Sequence, residues 1–227
     1  MRYSVPTLFV TGLLVKISLA AFDQNRAGAV LKAPDDSSFT SVTGTFTVPS
    51  LTGNAKLLIW VAIGDTLQQD VVLKGGITYS GALTSFVEWY PSSTTDITTD
   101  VPVRAGDSIT VTVSVSSTDK TTGTVVVENT TQSKKSTQEI PIPSAADPAT
   151  LTSLAADWFV QAYQAAGELV QVPRFGTVSF TQCSATLTNG TSLGPQGAGL
   201  FEIQGTSGQI YSSTTTTATG VSVRQQM

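Results

Sequence analysis

The sequence predicts an all-β protein, an antiparallel sandwich of two sheets, and two observations support this fold class. Apolar residues alternate with Ser and Thr in "TSVTGTFTVP" (40–49) and in "DSITVTVSVSS" (107–117), as in strands that bury one face. Turn clusters rich in Gly, Pro, Ser and Thr separate such runs along the chain, as in a β-sandwich. With 227 residues, of which 40% are hydrophobic, we expect a single domain with one core.

The predicted strands follow one another with short turns between them. One predicted strand contains Val71 to Leu73. It is expected to end at Lys74, and a turn at Gly75-Gly76 is expected to follow. The segment before residue 157 is interpreted as a loop with one helical turn, followed by a strand to Tyr163. "SSTTTT" from Ser212 fits either a hairpin end or an edge strand. The remaining predicted strands cover residues 42–48, 57–63, 85–90, 109–115, 124–127, 177–180, 200–203 and 220–223.

The first residues have the pattern of a secretory signal peptide. An early Arg2 precedes an apolar run, and small residues lead to an expected cleavage site near Ala20 or Ala21. We therefore predict a signal at residues 1–21, a single domain at 22–227, and a secreted protein or one in the lumen of the secretory pathway. The sequons at Asn129 and Asn189 agree with export and predict exposed glycosylation sites. No other stretch is long enough to span a bilayer.

Composition excludes several classes of function. A net charge of -4 without a basic stripe argues against a nucleic-acid partner. The chain contains no His, which excludes Ser-His-Asp and Cys-His catalysis and His-ligated zinc. The single cysteine, Cys183, is expected to be a buried small hydrophobe. We expect no metal and no cofactor, so any chemistry must come from carboxylates, Lys, Tyr, amides or the backbone.

Seven segments occur in an order that resembles one known family. They are "NRAGAV", "WVAIGDT", "FVEWYP", "GDSITVTV", "GTVVVENTT", "AADWFVQAY" and "FGTVSFTQCS", between about residues 25 and 210. Together they resemble the fungal glutamic peptidases, the eqolisin or G1 group once filed as A4. The resemblance implies a concanavalin-like double sheet with a substrate groove on a concave face. It also implies catalysis at acid pH by a Glu that deprotonates water and a Gln that stabilises the oxyanion.

The resemblance places both members of this dyad on changed residues. In "VVLKGG" the position of the catalytic Gln is Lys74, and in "ADWFVQAY" the position of the catalytic Glu is Gln161. An amide can position a water molecule but cannot deprotonate it, so we predict that proteolytic activity is absent. Near the start, Arg26-Ala27-Gly28 replaces the family's Trp-Gly-Gly, and so little sequence precedes this segment that we expect no propeptide.

Other residues are expected to remain in the groove. The resemblance places Trp60, Glu88 and Tyr90 in it, and we also assign Asp65 of "WVAIGDT" to ligand binding. Alternation puts Phe86, Glu88 and Tyr90 on one strand face, and Asp157, Phe159 and Gln161 on another. An unpaired amine in such a groove would lose its charge, so we predict an ion pair between Lys74 and Glu88.

Three functions compete at this point. The leading interpretation is a non-peptidase monomer that binds a peptide, a glycan or a small molecule in the groove. The second is a small-molecule enzyme of secondary metabolism, a cyclase, isomerase or lyase. There Lys74 would be acid, base or electrostatic stabiliser, Gln161 a hydrogen-bond donor, and Glu88 or Tyr90 the proton partner. The third, an acid endopeptidase, requires the alignment of both dyad positions to be wrong.

Overall fold

The computed structural model describes residues 20–53, 55–64, 71–119, 121–144, 153–165, 168–169 and 172–226. These parts of the chain contain strands and no α-helix. The strands are β1 Ala21–Asp23, β2 Arg26–Lys32, β3 Phe39–Thr47, β4 Lys56–Gly64, β5 Val72–Ser80, β6 Leu83–Tyr90, β7 Thr95–Asp96, β8 Ser108–Val115, β9 Thr122–Asn129, β10 Lys134–Pro141, β11 Ala155–Ala162, β12 Gln164–Ala165, β13 Glu168–Leu169, β14 Thr177–Leu187, β15 Ser192–Leu193, β16 Gly199–Ile203, β17 Ser212–Thr216 and β18 Val221–Gln225.

Two large sheets form the sandwich that the sequence predicts. The first has eight strands in the order β1-β16-β2-β11-β4-β5-β6-β7. The second has the order β10-β9-β8-β3-β14-β18-β17, with β15 also paired to β14. Every pairing is antiparallel except that of β1 with β16. Strands β12 and β13 form a separate small pair.

The main core lies between the two sheets. In β8 and β9 every second residue is buried, which is the alternation read from the sequence. In β11 and β4 both faces are buried, because one set of side chains enters the core and the other set packs on the outer face of the first sheet. Trp89 and Trp158 belong to the core, whereas Trp60 belongs to the outer face.

The predicted turn at Gly75-Gly76 is wrong, because both glycines lie inside β5 and pair with β4 and β6. A Cβ on Gly75 would lie 2.5 Å from Cγ1 of Val125, and one on Gly76 would lie 2.0 Å from the backbone oxygen of Ile59. Gly75 therefore allows close packing between the two sheets, and Gly76 allows close packing against the neighbouring strand β4. Lys74 is an internal strand residue and not a cap.

The other predicted strands are observed, although β14 continues well past its predicted end at residue 180, to Leu187. The "SSTTTT" segment begins with β17, an edge strand at the end of the second sheet. The predicted helical turn falls mostly on residues 145–152, which lie outside the described residues. Within the described ranges, no helix is long and apolar enough to cross a membrane.

The two sequons differ in their environment. Asn189 lies in an exposed turn, as expected. The expected exposure of Asn129 is wrong, because this residue is 0% exposed. Its Nδ2 donates hydrogen bonds of 2.8 Å to the backbone oxygen of Pro102 and to Oδ2 of Asp107, so a glycan on Nδ2 would disrupt both bonds. Cys183 is buried as expected, and burial raises the pKa of its thiol to about 12.

Candidate functional site

Strand register brings the predicted site residues together on the outer face of the first sheet. One row across β11, β4, β5 and β6 contains Asp157, Ala62, Lys74 and Glu88. The next row contains Phe159, Trp60, Gly76 and Phe86. Residues paired in this way lie side by side on the same face, so the pairing places acidic, basic and aromatic side chains next to one another.

Apolar side chains form a buried group on this face, which we call the outer-face cluster. It consists of Val30, Trp60, Ala62, Val72, Phe86, Ala155 and Phe159, with Leu58 and Phe201 packed against it. The ring centroids of Trp60 and Phe159 are 5.0 Å apart, and those of Phe159 and Phe201 are 5.8 Å apart. These ring contacts stabilise the cluster, and Trp60 and Phe159 are only 2% and 1% exposed.

Lys74 and Glu88 form the ion pair that the sequence predicts. Lys74 Nζ lies 3.3 Å from Glu88 Oε1, and only 12% and 9% of the two side chains are exposed. The Nζ atom also lies 5.4 Å from the ring centroid of Trp60 and 5.7 Å from that of Tyr90. The ammonium is thus held by one carboxylate and two aromatic rings.

Burial shifts the pKa values of Lys74 and Glu88 in opposite directions. It lowers the pKa of Lys74, against the attraction of Glu88, and the positive charge of Arg26 lowers it further. Burial also raises the pKa of Glu88, against the attraction of Lys74. Both shifts favour the neutral amine and the neutral acid, so they reduce the free energy needed to move a proton from Nζ to the carboxylate.

Gln161 is fixed by a hydrogen bond to Trp60, whose Nε1 donates to Oε1 of Gln161 at 2.9 Å. With its oxygen engaged, the amide presents its NH₂ group as a donor. This bond links the position that the resemblance aligns with the catalytic Glu to the aromatic ring beside Lys74.

The comparison with known proteins agrees with this fold. The model of the Peptidase A4 family matches residues 24–225. The chain belongs to the Peptidase A4 family. It is 30% identical over 229 residues to Aspergillopepsin-2 of Aspergillus niger, covering 89% of this chain and 77% of that protein.

Solved structures of the same kind are also similar. A scytalido-glutamic peptidase bound to a transition-state analogue inhibitor is 26% identical, with a TM-score of 0.78, covering 90% of this chain and 99% of that one. SCP-B, a member of the eqolisin family of peptidases in complex with a tripeptide, is 25% identical with a TM-score of 0.73 and the same coverage.

In this member of the Peptidase A4 family, Arg26 is a site residue that sequence analysis did not assign. Its Nη2 lies 2.7 Å from Oδ2 of Asp23, and its Cζ lies 5.8 Å from the ring centroid of Phe159. Nη1 is buried and has no hydrogen-bond partner in the described structure. Register pairs Arg26 with Gln161. In β2, Arg26, Gly28 and Val30 alternate with residues that enter the core. This alternation is the sequence signal that places Arg26 on the outer face.

The remaining predicted site residues differ in their exposure to solvent. Phe86 is 1% exposed and Asp157 is 0% exposed, whereas Tyr90 is 43% exposed at the rim. Asp65, which was also assigned to ligand binding, lies outside the described residues. Among the residues that the structure covers, no group of three or more His, Cys, Asp or Glu side chains could hold a metal ion.

Proposed function

We propose that this member of the Peptidase A4 family is not a peptidase and binds a peptide or small-molecule ligand at the outer-face cluster. One observation carries the proposal. Lys74 and Gln161, which the resemblance aligns with the catalytic Gln and Glu, are engaged with Glu88 and Trp60 respectively. Hydrolysis of a peptide by water requires a general base on one side of the scissile bond and an oxyanion donor on the other. Neither of these two contacts provides that arrangement.

The chemistry of the two aligned positions favours binding over proteolysis. The Gln161 amide has no basic lone pair in the useful range, so it cannot deprotonate water. The Lys74 ammonium could stabilise an oxyanion, but Glu88 already neutralises its charge at 3.3 Å. Apolar side chains next to a few fixed polar groups are what ligand sites generally contain.

A second candidate, an enzyme that acts on a small molecule, is favoured by the pKa directions. Burial lowers the pKa of Lys74 and raises that of Glu88, which brings an acid and a base closer to a matched pair for proton transfer. In this function Lys74 and Glu88 exchange a proton with the ligand, Tyr90 is an alternative proton partner, and Gln161 donates a hydrogen bond.

A proteolysis assay tests the first half of the proposal. The purified protein is incubated with an unfolded substrate at about pH 3, where a carboxylate near its ordinary pKa would act as base. We expect no cleavage by the wild type. Cleavage that Lys74→Ala or Gln161→Ala abolishes would show that the protein is a peptidase and would refute the proposal. The double variant Lys74→Gln/Gln161→Glu tests whether the two positions are the dyad, since gain of cleavage would establish it.

A ligand search tests the second half. Wild type, Lys74→Ala and the control Lys56→Ala are incubated with a culture extract, and mass spectrometry identifies the compounds that are retained or converted. Lys56 is exposed and lies outside the outer-face cluster, so its variant should behave as the wild type. Retention lost only in Lys74→Ala supports binding, and conversion lost only in that variant supports the enzyme. Equal behaviour of all three proteins would refute both.

We also propose that the protein acts outside the cytosol, because residues 1–21 have the pattern of a secretory signal. N-terminal sequencing of the protein from culture medium should begin near Ala21 or Phe22. We further propose that Asn189 carries a glycan. Glycosidase treatment should lower the mass of the wild type and leave the mass of Asn189→Gln unchanged.

A further inference from the structure

We propose that Lys74 forms a reversible imine with an aldehyde or ketone group of a ligand at the outer-face cluster. The inference rests on the proposed function, since it requires that a ligand enters this face, and it adds the reactive group and the atom to which that group bonds.

The surroundings of Lys74 differ from those of the other lysines in the described structure. Lys32, Lys56, Lys134 and Lys135 are all exposed, whereas the Lys74 side chain is 12% exposed. Lys74 Nζ has a carboxylate at 3.3 Å and aromatic rings at 5.4 and 5.7 Å. A largely desolvated amine beside a proton acceptor is the arrangement that activates a lysine as a nucleophile.

The ion pair can supply both protons of the reaction without another acid or base. Lys74 Nζ first transfers a proton to Glu88, which leaves a neutral amine and a neutral acid. The amine lone pair forms a C–N bond as the C=O π bond breaks, and one N–H proton moves to the oxygen to give a carbinolamine.

The carbinolamine then loses water. Glu88 returns its proton to the hydroxyl group, the C–O bond breaks, and an iminium forms on Nζ. The ammonium, carboxylate and carbonyl have therefore become an iminium, a carboxylate and one water molecule, with total charge unchanged. Glu88 is ionised again at the end of the reaction. Its carboxylate therefore stabilises the iminium on Nζ as it stabilised the ammonium before the reaction.

The charges on this face favour an uncharged ligand. Arg26 is paired with Asp23, and Lys74 is paired with Glu88. Asp157 adds a further carboxyl group to the row of Lys74. Since no surplus of positive charge remains, an anionic ligand would gain little here. The ring of Tyr90, which is 43% exposed and has its centroid 5.7 Å from Lys74 Nζ, instead favours a carbonyl attached to an apolar or aromatic body.

Reductive trapping tests the imine. The full-length protein is incubated at about pH 7 with 2-naphthaldehyde, an uncharged aromatic aldehyde, and sodium cyanoborohydride, which reduces an imine to a stable secondary amine. Peptide mass spectrometry then locates the adduct. We expect labelling of Lys74 to be at least about tenfold faster than that of Lys56, whose Nζ lies 4.4 Å from the ring centroid of Tyr163 but is exposed.

Three variants sharpen the result. Lys74→Arg keeps a cation but cannot form the imine, so the fast adduct should disappear. Lys56→Arg should retain it. Glu88→Gln should slow trapping at Lys74 by about a hundredfold, because the amide cannot exchange the proton. The comparison of Lys74 with Lys56 within the wild type is decisive even if a variant does not fold.

The outcomes separate the imine from binding itself. Equal labelling of all lysines, or no adduct on Lys74, overturns the imine. If tryptophan fluorescence shows that the aldehyde nevertheless binds, the proposed binding function survives that failure. If Lys74→Ala and the wild type also retain the same compounds in the ligand search, the proposed function fails as well.

Discussion

Asp107 and Glu88 are two carboxyl residues with similar burial and opposite electrostatics. Asp107 is 6% exposed and Glu88 is 8% exposed. Burial alone would raise the pKa of Asp107, but hydrogen bonds from Asn129, Gln132 and the Arg104 backbone, with the charge of Arg104, lower it. Burial dominates at Glu88 and raises its pKa despite Lys74.

The difference lies in what holds each charge. Donors fixed by the folded backbone and by packed amides stabilise the carboxylate of Asp107, and this network ties the turn before β8 to the end of β9. Glu88 relies on the end of a single lysine side chain, whose own charge is disfavoured by burial. The first site serves the fold, and the second retains a carboxyl group that can exchange its proton.

The largest effect is expected when the network around Asp107 is removed. Asp107→Ala deletes the acceptor of three hydrogen bonds and leaves Nδ2 of the buried Asn129 with one acceptor, so we expect a loss of about 3 kcal/mol in the free energy of unfolding. Chemical denaturation measures it. The exposed Asp119 is the control, and Asp119→Ala should cost much less stability, because its hydrogen bonds with Thr121 lie in an exposed turn. Equal stability of the two variants would contradict a structural role for Asp107.

A smaller effect is expected when the ion pair is broken. Lys74→Met leaves Glu88 buried without its cation, so we expect a loss of about 2 kcal/mol near pH 7. The loss should diminish at lower pH as Glu88 becomes protonated. Lys74→Met/Glu88→Leu should recover most of the stability, because no buried charge remains. A double-mutant cycle measures the coupling, and additive losses would show that the pair does not interact.

The pH dependence of stability should have opposite signs at the two carboxyl groups. The pKa of Asp107 is lowered, so its contribution is present above about pH 3.8 and is lost as the pH falls through the folded value. The pKa of Glu88 is raised, so the folded state binds the extra proton above about pH 4.5, and stability falls as the pH rises through that window. Stability measured against pH for the wild type, Asp107→Asn and Glu88→Gln tests this. Parallel curves for the wild type and Glu88→Gln would contradict the raised pKa.

The smallest effect is expected at the Trp60–Gln161 hydrogen bond. Trp60→Phe removes the Nε1 donor but keeps most of the ring contact with Phe159, so we expect a loss of about 1 kcal/mol. In a Gln161→Met background the same substitution should cost less, because the bond is already absent. Thermal unfolding of the wild type, the two single variants and the double variant measures this difference. If Trp60→Phe costs the same stability in both backgrounds, the hydrogen bond does not contribute to stability.

Alternation in the sequence predicted the sandwich because a strand with one buried face repeats every two residues, as β8 and β9 do. Alternation also predicted which residues of β6 and β11 share a face, and the resemblance supported the pairing of Lys74 with Glu88. It could not interpret Gly75-Gly76, since the need for glycine comes from Val125 and the Ile59 backbone, which are distant in sequence. The burial of Asn129 and the position of Arg26 likewise depend on contacts between strands.

The alternation in β5 also has an evolutionary consequence. Leu73 and Ile77 point into the core, while Val72 and Lys74 point to the outer face. A nucleotide change in the codon for residue 74 can therefore alter the charge of the outer face without exchanging a core side chain. Insertion or deletion of one codon in β5 would instead move Lys74 into the core and Leu73 out of it. Point substitution is thus the route by which a lineage with this fold can change the outer face at residue 74 and keep the register of β5 with β4 and β6.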